Sequence, residues 1–467
     1  MKVWDAARIA AAAGARLLAE PDRARAAGGP SCAVIDSRRV GEGELFVGLR
    51  GERVDGGEHA LEALGAGAWG VLVDPEYAQP AAAAATGGAV LAHPRPLEGM
   101  QSLARAWRRE LGEQGAKVVG ITGSTGKTST KDILAALLGA HRRVVASPEN
   151  LNTEIGLPLA MLAAPAGTQA LVVEMAMRGA GQIAELASIA EPDVGVIVNV
   201  GPVHLELLGS LEAIAAAKAE LIAGMRAGTK VVVPAGEELL ERHLRADIET
   251  LTFGDGGDVA LEQAAHGRVR LRVLAQTLEL QPSFAQAHNL QNLLAAVAAA
   301  LALGIGPDEL GAQPSLQVRF SALRGEHVVL PGGVVVINDC YNANPMSMRA
   351  AIDDLAETAP ARRVAVLGDM LELGPQAPRL HREIGLYADG AGVDLLITVG
   401  ALAAEMRTEF DGESYAVADA AAAAEQLELL LGEGDTLLVK GSRGIGLERV
   451  AEALGASRVE NDGAGRR

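Results

Sequence analysis

A short glycine-rich loop separates an apolar run, KVVGI at 117–121, from a stretch with helical spacing that begins near residue 127. The loop, TGSTGKTS, has the shorter Gly-x-x-Gly-Lys-Thr form of a phosphate-binding loop, because Ile121 stands where the strict pattern has a glycine. In such a loop the backbone N–H groups and the helix N-terminus attract a polyphosphate, and the lysine and the following hydroxyl serve its phosphates and Mg²⁺. The pattern predicts a nucleotide site without indicating the reaction. The residues expected to form it are Gly123, Ser124, Thr125, Gly126, Lys127, Thr128 and Ser129.

Short apolar runs alternate with longer helical stretches on both sides of residue 317, which predicts an α/β fold. Because the runs are continuous rather than alternating, they favour parallel strands buried on both faces of a sheet. Residues 268–281 alternate with a period of two and predict an antiparallel edge or hairpin. A length of 467 residues, at about 150 per domain, suggests about three domains. The changes in texture put them at 1–113, 114–316 and 317–467, and we expect the polar tail from Ala456 to be frayed.

The composition excludes several classes of protein. Apolar residues make up 49% of the chain, which excludes disorder as the dominant state. With 41 basic and 59 acidic residues the net charge is −18, which argues against a nucleic-acid-binding protein. Cys32 and Cys340 are too few and too far apart for a disulfide framework or a metal knuckle. Charges interrupt the first 20 residues, and no uncharged stretch is both long and apolar enough to span a bilayer, so we expect a cytoplasmic protein without membrane insertion.

Two further polar residues follow predicted parallel strands. Glu174 ends the run ALVVEM, and His204 follows the run VGVIVNV across Gly201 and Pro202. Open α/β sheets bind their ligands at the carboxyl ends of such strands. Taken alone, the glutamate is more often a solvated residue or a helix-cap partner, and the histidine is more often structural. Beside a phosphate loop, the pair favours a metal role.

Lys218 lies on the apolar face of a predicted helix that begins near Ser210. Its position is four residues after Ile214 and three before Leu221, within a stripe that also contains Leu211. A lysine on a packed face must find a partner, lose its proton or be modified. Two interpretations stay equally open: an ammonium that reaches the rim of the helix, or a neutral amine that adds CO₂ and becomes a carbamate suited to Mg²⁺.

Taken together, these motifs resemble the Mur ligase family of ATP-dependent enzymes that form amide bonds. The resemblance covers nearly the whole chain, through the segments at 36–56, 121–131, 150–159, 174–186, 199–221, 288–296, 339–348 and 438–444. The run DCYNANP at 339–345 is similar to that of the member that adds D-alanyl-D-alanine, and the run DNPR of the ligase acting one step earlier is absent. The family implies an N-terminal α/β domain for the UDP-sugar, a central phosphate-loop domain with a mostly parallel sheet for ATP, and a C-terminal Rossmann-like domain for the incoming amine.

The resemblance also implies roles for individual residues. The catalytic residues would be Lys127, Glu174, His204, Lys218 and Arg319. Thr128 and Glu174 would bind one Mg²⁺, and His204 and carbamoylated Lys218 would bind a second. Besides the phosphate loop, ATP would contact Asn289, Asn292, Arg319 and Asp339. Substrates would contact Asp36, Ser37 and Arg38 on the UDP-sugar side, Asn150, Asn152 and Thr153 on the peptide side, and Tyr341, Asn342, Asn344, Lys440, Ser442 and Arg443 on the dipeptide side.

The family resemblance implies a two-step reaction. ATP would convert the carboxylate of UDP-N-acetylmuramoyl-tripeptide to an acyl phosphate, which the amine of D-alanyl-D-alanine would attack. We expect a monomer that acts on these small molecules. Two alternatives remain: a related ligase for another carboxylate, such as one similar to folylpolyglutamate synthase, and a phosphate-loop regulatory or motor NTPase. The second alternative gives no reason for a lysine on the packed stripe at 218.

Overall fold

The computed structural model describes residues 1–22, 25, 28–84, 86–148, 150–330 and 333–455, and the backbone of 457–458. Three β-sheets follow one another along the chain, with helices packed on them. The α/β fold class predicted from the apolar runs is confirmed. Apart from the backbone of 457–458, the tail from Ala456 lies outside the described residues.

Five strands form the first sheet: β1 (Arg16–Ala19), β2 (Ala33–Val34), β3 (Leu45–Val47), β4 (Gly70–Val73) and β5 (Ala89–Ala92). Their order is β1-β5-β4-β3-β2, and only the β1–β5 pair is antiparallel. Its helices are α1 (Ala6–Ala13), α2 (Ala60–Gly65), α3 (Pro75–Ala83) and α4 (Pro96–Glu113). Helix α4 begins at a proline, which suits the first turn. Its buried residues recur every three or four positions, at Met100, Leu103, Trp107 and Leu111.

The second sheet contains β6 (Lys117–Thr122), β7 (Val144–Ala146), β8 (Ala170–Glu174), β9 (Val194–Ile197), β10 (Lys230–Pro234), β11 (Glu249–Phe253), β12 (Val259–Ala265), β13 (Arg268–Val273), β14 (Gln276–Pro282) and β15 (Ser315–Leu316). Their order is β15-β14-β13-β12-β11-β10-β9-β6-β8-β7. The seven strands β6 to β12 pair in parallel. Strands β12, β13 and β14 are antiparallel neighbours, which confirms the hairpin predicted over 268–281. The helices are α5 (Lys127–Gly139), α6 (Gly156–Leu162), α7 (Gln182–Ala190), α8 (Leu205–Leu208), α9 (Leu211–Gly224), α10 (Glu238–Glu241), α11 (Ala287–Ala302) and α12 (Pro307–Gly311).

The third sheet contains β16 (Glu326–Val329), β17 (Val335–Asn338), β18 (Arg363–Gly368), β19 (Leu395–Val399), β20 (Glu413–Val417), β21 (Thr436–Lys440) and β22 (Ser457–Arg458). Their order is β20-β19-β18-β21-β17-β16-β22, and only β16 runs antiparallel to its neighbours. The helices are α13 (Pro345–Thr358), α14 (Ala377–Gly390), α15 (Ala420–Leu430) and α16 (Glu448–Ala453). Five of the seven strands, β17 to β21, therefore pair with parallel neighbours, as continuous apolar runs predict.

The second sheet fixes the position of the site. Strand β6 lies between β8 and β9, so the segments that follow these three parallel strands meet at one edge. They are the phosphate loop, the segment after Glu174 and the segment 198–204. The predicted limits after residues 113 and 316 fall between the sheets, and as domain boundaries they stay predictions.

Helix α4 also attaches the first sheet to the second. It packs against α1 on one side and against α6 and α7 on the other. Trp107 Nε1 donates to the Ala164 carbonyl at 2.9 Å, and the Arg108 guanidinium donates to the Ala190 carbonyl at 3.0 Å and to Asp193 Oδ2 at 2.8 Å. We call these contacts of α4 with α6 and α7 the N-terminal joint. Within the described part of the chain, no helix has both the length and the apolar character needed to cross a membrane.

Candidate active site

The phosphate loop turns sharply from β6 into α5. Gly126 caps α5 with a φ of 75°, in the left-handed region that glycine tolerates. A Cβ at this position would lie 2.3 Å from Asn292 Oδ1, so there is no room for a side chain either. Lys127 begins the helix, and its Nζ donates to the Gly123 carbonyl at 2.9 Å. Burial lowers the pKa of Lys127, and the Glu174 carboxylate opposes that shift. A cation thus lies across the loop, where the sequence predicts phosphate.

Asn199, which follows β9, holds the loop from the neighbouring strand. Its Oδ1 accepts hydrogen bonds from the backbone N–H groups of Ser124 and Thr125 at 3.0 and 2.9 Å. The Ser124 hydroxyl donates to the Gly201 carbonyl at 3.0 Å and accepts from the Gly201 N–H at 2.8 Å. These two loop N–H groups therefore face Asn199 in this state, whereas the sequence predicts that they face phosphate. Asn199 was not singled out from the sequence, although it belongs to the run NVGPVH.

Thr128 and Glu174 bring two oxygen donors together beside the loop. Thr128 Oγ1 donates to Glu174 Oε2 at 2.7 Å, and Asn152 Nδ2 donates to Glu174 Oε1 at 2.9 Å. Glu174 is only 1% exposed, and its backbone N–H donates to Ser147 Oγ at 3.1 Å. A hydroxyl and a carboxylate next to a phosphate site suit Mg²⁺, which keeps several waters and phosphate oxygens among its ligands. Among the described residues no group of three or more His, Cys, Asp or Glu side chains could hold a metal on its own.

Helix α9 buries Lys218, as its spacing predicts. Ser210 caps the helix, Ile214 is buried beside Lys218, and Lys218 itself is 1% exposed. Leu211, which the pattern puts on the same stripe, is instead 40% exposed. Within the described ranges, the Lys218 amine has no hydrogen-bond or ion-pair partner. Burial, and to a lesser extent the charge of Lys127, lowers the pKa of Lys218 well below its usual value. The packed position is confirmed, and the chemical form of the amine stays a prediction.

His204 connects the second sheet to the third. It lies at the start of α8 with a φ of 53°, and its Nδ1 is hydrogen-bonded to Glu372 Oε2. Burial lowers the pKa of His204, the Glu372 carboxylate opposes this shift, and the charges of Lys127 and Lys218 act in the same direction as burial. Glu372 was not singled out from the sequence, because it is distant in the chain and belongs to no motif quoted above.

The third sheet supplies the opposite wall of the cleft. The Lys440 ammonium is buried and donates to Asp339 Oδ2 at 2.6 Å and to the Asn342 carbonyl at 3.0 Å. The Arg324 guanidinium lies 4.1 Å from the centre of the Tyr341 ring, in a cation–π contact. Lys440 is therefore already paired with an acidic group of its own domain.

Two predicted contact residues on this wall also stabilise the backbone. Asn344 Oδ1 accepts from the Ser347 N–H at 3.0 Å and caps α13. Ser442 Oγ accepts from the Leu371 N–H at 2.9 Å. Both side chains thus have structural partners in addition to lining the cleft.

Helix α11 places two asparagines on one buried face. Asn292 Nδ2 donates to Asn289 Oδ1 at 3.2 Å, as the spacing of three residues predicts. Asn289 is not the N-cap of this helix, which is Gln286. The adjacent His288, which the sequence analysis did not single out, also lines the cleft, and burial lowers its pKa.

These groups line one cleft of about 1160 Å³ between the second and third sheets. Most of the predicted site residues belong to its wall: Gly123, Ser124, Thr125, Gly126, Lys127, Thr128, Ser129, Asn150, Asn152, Thr153, Glu174, His204, Lys218, Asn289, Asn292, Asp339, Tyr341, Asn342, Asn344, Lys440, Ser442 and Arg443. Asn199, His288, Arg324 and Glu372 also belong to it. The fold therefore brings phosphate-binding and substrate-side candidates together, while their individual roles stay predictions.

Four predicted residues lie elsewhere. Arg319 is exposed and does not line the cleft, whereas Arg324, five residues later, does. In this arrangement the connecting segment reaches the cleft wall only after Ser321, so the contact of Arg319 with ATP, expected when the third sheet closes, stays a prediction.

The three candidates for the UDP-sugar lie beside the first sheet: Asp36, Ser37 and Arg38. Asp36 caps a short 3₁₀ helix, and its Oδ2 accepts from Arg38 Nη2 at 2.8 Å. They are separate from the cleft, and their contact with the UDP-sugar stays a prediction.

Comparison with known proteins gives a consistent result. Residues 121–300 match the Mur ligase middle domain, and residues 323–443 match the Mur ligase, glutamate ligase domain. The chain is 34% identical over 436 residues to the UDP-N-acetylmuramoyl-tripeptide–D-alanyl-D-alanine ligase of Bacillus subtilis, covering 90% of this chain and 92% of that protein.

Two solved structures share the fold over almost the whole chain. The crystal structure of MurF from Acinetobacter baumannii has a TM-score of 0.83 and 25% identity, covering 97% of this chain and 99% of that chain. The MurF ligase from Thermotoga maritima in complex with ADP has a TM-score of 0.77 and 30% identity, covering 91% and 96%. Two Mur ligase domains match this chain, relatives match it over about 90% of its length, and its cleft lies between the second and third sheets. This chain therefore belongs to the Mur ligase family.

Proposed function

We propose that this chain uses ATP to join D-alanyl-D-alanine to UDP-N-acetylmuramoyl-tripeptide, giving UDP-N-acetylmuramoyl-pentapeptide, ADP and phosphate for peptidoglycan synthesis. The observation that carries the proposal is the shared cleft, in which the phosphate loop faces the Asp339–Lys440 pair and the YNAN segment. The names of relatives that match about 90% of the chain give the same activity. The monomeric state and the cytoplasmic location stay predictions.

The first step activates a carboxylate. A carboxylate oxygen of the tripeptide attacks the γ-phosphorus of ATP, the bond from that phosphorus to the β–γ bridging oxygen breaks, and ADP leaves. Lys127 belongs to the phosphate loop, and Arg324 lines the same cleft, where its charge acts on Lys127. We assign them to the charge that spreads over the transferring phosphoryl group. When bound at Thr128 and Glu174, Mg²⁺ would neutralise part of the same charge.

The second step forms the amide bond. The free amine of the dipeptide attacks the acyl carbon, a proton leaves the nitrogen, and the tetrahedral intermediate expels phosphate. Asn150, Asn152 and Thr153 line the cleft on the side of Glu174, so we assign them to the peptide. The acyl phosphate must be shielded from water between the steps, which a cleft closed by the third sheet would achieve.

Two cations on the dipeptide side of the cleft have different surroundings. Lys440 is paired with Asp339 and buried, whereas the Arg443 side chain is 57% exposed and, within the described residues, its ion pair is with Glu448 at 3.5 Å. We therefore assign Arg443 to the dipeptide carboxylate and Lys440 to holding the segment 339–342 in place. Asp36, Ser37 and Arg38 remain our candidates for the UDP-sugar on the first sheet.

We further propose that Lys218 reacts as a neutral amine with CO₂ and serves, as a carbamate, a second Mg²⁺ together with His204. Its burial and the lack of a partner among the described residues support this, because an unpaired ammonium is costly to bury. The carbamate would replace a cation by an anionic oxygen ligand next to a phosphate site.

The proposed reaction is tested by phosphate release from ATP. We expect release that requires both UDP-N-acetylmuramoyl-tripeptide and D-alanyl-D-alanine, together with a product of pentapeptide mass. Omitting each substrate in turn is the control. Release from ATP alone, indifferent to either substrate, would contradict the ligase activity and favour a regulatory NTPase. Release that needs a carboxylate other than the UDP-sugar peptide would indicate another ligase of the family.

The same assay tests Lys218. We expect Lys218→Ala to lower the rate of phosphate release at least about 100-fold, because a ligand to the proposed second metal is removed. Short carboxylates added to this variant should restore part of the rate by occupying the vacated space. Unchanged activity of Lys218→Ala, or a loss that no short carboxylate restores, would favour an unmodified lysine.

A further inference from the structure

The loop that follows β18 reaches across to the second sheet. We call residues 369–374 the Glu372 loop. Its backbone is fixed within its own domain: the Met370 N–H donates to His381 Nε2 at 2.9 Å, the Leu371 N–H donates to Ser442 Oγ at 2.9 Å, and the Asp369 carbonyl accepts from the Ser442 N–H at 3.1 Å. The loop therefore moves with the segment that contains Ser442, on the dipeptide side of the cleft.

Two backbone contacts join this loop to α8. The Glu206 N–H donates to the Glu372 carbonyl at 3.3 Å. At Gly374, with a φ of 60°, a Cβ would lie 3.1 Å from Glu206 Cα, so the two segments approach as closely as a glycine allows. The contact between the domains thus extends beyond one pair of side chains.

Both partners of the side-chain contact have unusual backbone conformations. His204 has a φ of 53° and Glu372 a φ of 65°, in the left-handed region that is unfavourable for a residue with a Cβ. Such residues are retained where the surrounding structure requires them, and they cluster at functional sites. An ordinary surface ion pair contributes little and would not require either conformation. Arg178 also approaches Glu372, with its Nε 3.8 Å from Glu372 Oε1, but the Arg178 side chain is 76% exposed.

The Glu372 contact decides which nitrogen of His204 is available. Because Nδ1 is hydrogen-bonded to the carboxylate, it carries the proton, and the lone pair of the neutral ring is left on Nε2. A carboxylate in this position is the usual partner of a metal-binding imidazole, which it orients and makes more basic.

We propose that Glu372 is a positioning residue for the ligation reaction: when the third sheet closes on the second, its carboxylate holds His204 Nδ1 and orients the imidazole for the phosphate site. The hydrogen bond from Leu371 to Ser442 links that event to the dipeptide side. The orientation of His204 is thereby completed by closure of the domain that contains the amine site. This inference depends on the proposed ligase function and on the role given there to His204.

The test compares four single variants of the full chain and the double variant Glu372→Ala/His204→Ala. Glu372→Ala removes the carboxylate, Glu372→Gln keeps an acceptor oxygen, and His204→Ala removes the imidazole. Glu383→Ala is the matched control, because Glu383 also pairs with an arginine, Arg349 at 3.5 Å, but lies on α14 outside the cleft wall. For each we would measure hydrogen–deuterium exchange of residues 203–209 with a non-hydrolysable ATP analogue and Mg²⁺, and kcat and KM in the ligation assay.

For Glu372→Ala we expect a 10- to 100-fold lower kcat, the usual loss when the partner of a metal-binding histidine is removed. Its KM for ATP should change little, and exchange of 203–209 with the ATP analogue should be faster than in the wild type. Glu372→Gln should keep most of the wild-type kcat and most of the wild-type protection of 203–209 from exchange. Glu383→Ala should match the wild type in both. The double variant Glu372→Ala/His204→Ala should have a kcat no lower than that of His204→Ala alone.

Two results would overturn the inference, and they are distinguishable. If His204→Ala loses activity while Glu372→Ala matches Glu383→Ala in kcat and in exchange, Glu372 has no positioning role and the proposed function is untouched. If His204→Ala itself keeps the wild-type kcat, the role of His204 in the proposed function fails, and the inference fails with it.

Discussion

The two joints of the second sheet are built differently. In the N-terminal joint, Arg108 is 4% exposed, and its guanidinium reaches the carbonyls of Ala190 and Glu191 and the Asp193 carboxylate. Across the cleft, the third sheet contacts the second through the pair His204–Glu372, with side chains 22% and 38% exposed, a few backbone contacts, and apolar packing such as Met346 against Gly201. We call these contacts across the cleft the C-terminal joint.

The difference indicates which joint opens. A buried cation with four hydrogen bonds, such as Arg108, is costly to separate from its partners, because the polar groups left behind have little water to solvate them. Half-exposed polar contacts are cheap to break, because water replaces each partner. We therefore expect the first sheet to stay fixed to the second, and the third sheet to open and close over the nucleotide.

Arg108→Met tests the fixed joint and should have the largest effect on stability. We expect it to lower the free energy of unfolding by about 2–3 kcal/mol, because two carbonyls and Asp193 lose the guanidinium, while Asp193 keeps Arg226 and the Val118 N–H. Arg105→Met is the control, since the Arg105 side chain makes one hydrogen bond within the described residues, to the Ser188 carbonyl at 2.8 Å, and its loss should cost about 1 kcal/mol. Urea unfolding followed by tryptophan fluorescence measures both, because all three tryptophans precede residue 113. Equal effects of the two variants would contradict the account.

A second buried charge sharpens the comparison, because it lacks such partners. Asp354 on α13 is 4% exposed, its Oδ1 has no hydrogen-bond partner, and His327 Nε2 is 4.0 Å from its Oδ2. Burial, with smaller contributions from Asp339 and Glu357, raises the pKa of Asp354 from 3.8 to about 7. Since the folded state then binds the proton more tightly than the unfolded chain, the ionised carboxylate destabilises the fold above that pKa.

Asp354→Asn should therefore stabilise the protein at alkaline pH, by about 1–3 kcal/mol at pH ~8. The gain should shrink as the pH falls from about 7 towards ~4 and vanish below pH ~3, where the wild-type carboxyl is protonated in both states. Urea unfolding followed by circular dichroism over this pH range measures it. The exposed Asp411→Asn is the control and should show no such pH dependence. A gain that does not change with pH would contradict the assigned burial effect.

Local patterns were sufficient to predict much of this molecule. Continuous apolar runs predict the parallel strands, the spacing around Lys218 predicts its burial, and the glycine-rich loop predicts the start of α5 at Lys127. Each of these features depends on residues that are close in the sequence, so the sequence contains the whole signal.

Contacts between distant segments account for what the sequence did not predict. Asn199 is 75 residues from the loop N–H of Ser124, and Glu372 is 168 residues from His204. The connecting segment, in which the Ser321 N–H donates to Asp132 Oδ2 at 2.9 Å, brings Arg324 to the cleft wall, and no local pattern pointed to that residue. Such placements follow from how the sheets dock, which no local pattern encodes.

Distances across the two joints test the account most directly. Spin labels would be placed on exposed positions of three helices, by Glu62→Cys on α2, Ala216→Cys on α9 and Glu425→Cys on α15, in a Cys32→Ser background. Adding a non-hydrolysable ATP analogue with Mg²⁺ should leave the 62–216 distance unchanged and convert the 216–425 distances to a shorter, narrower distribution. A 62–216 distance that shifts while the 216–425 distances stay the same would contradict the assignment of the fixed and the closing joint.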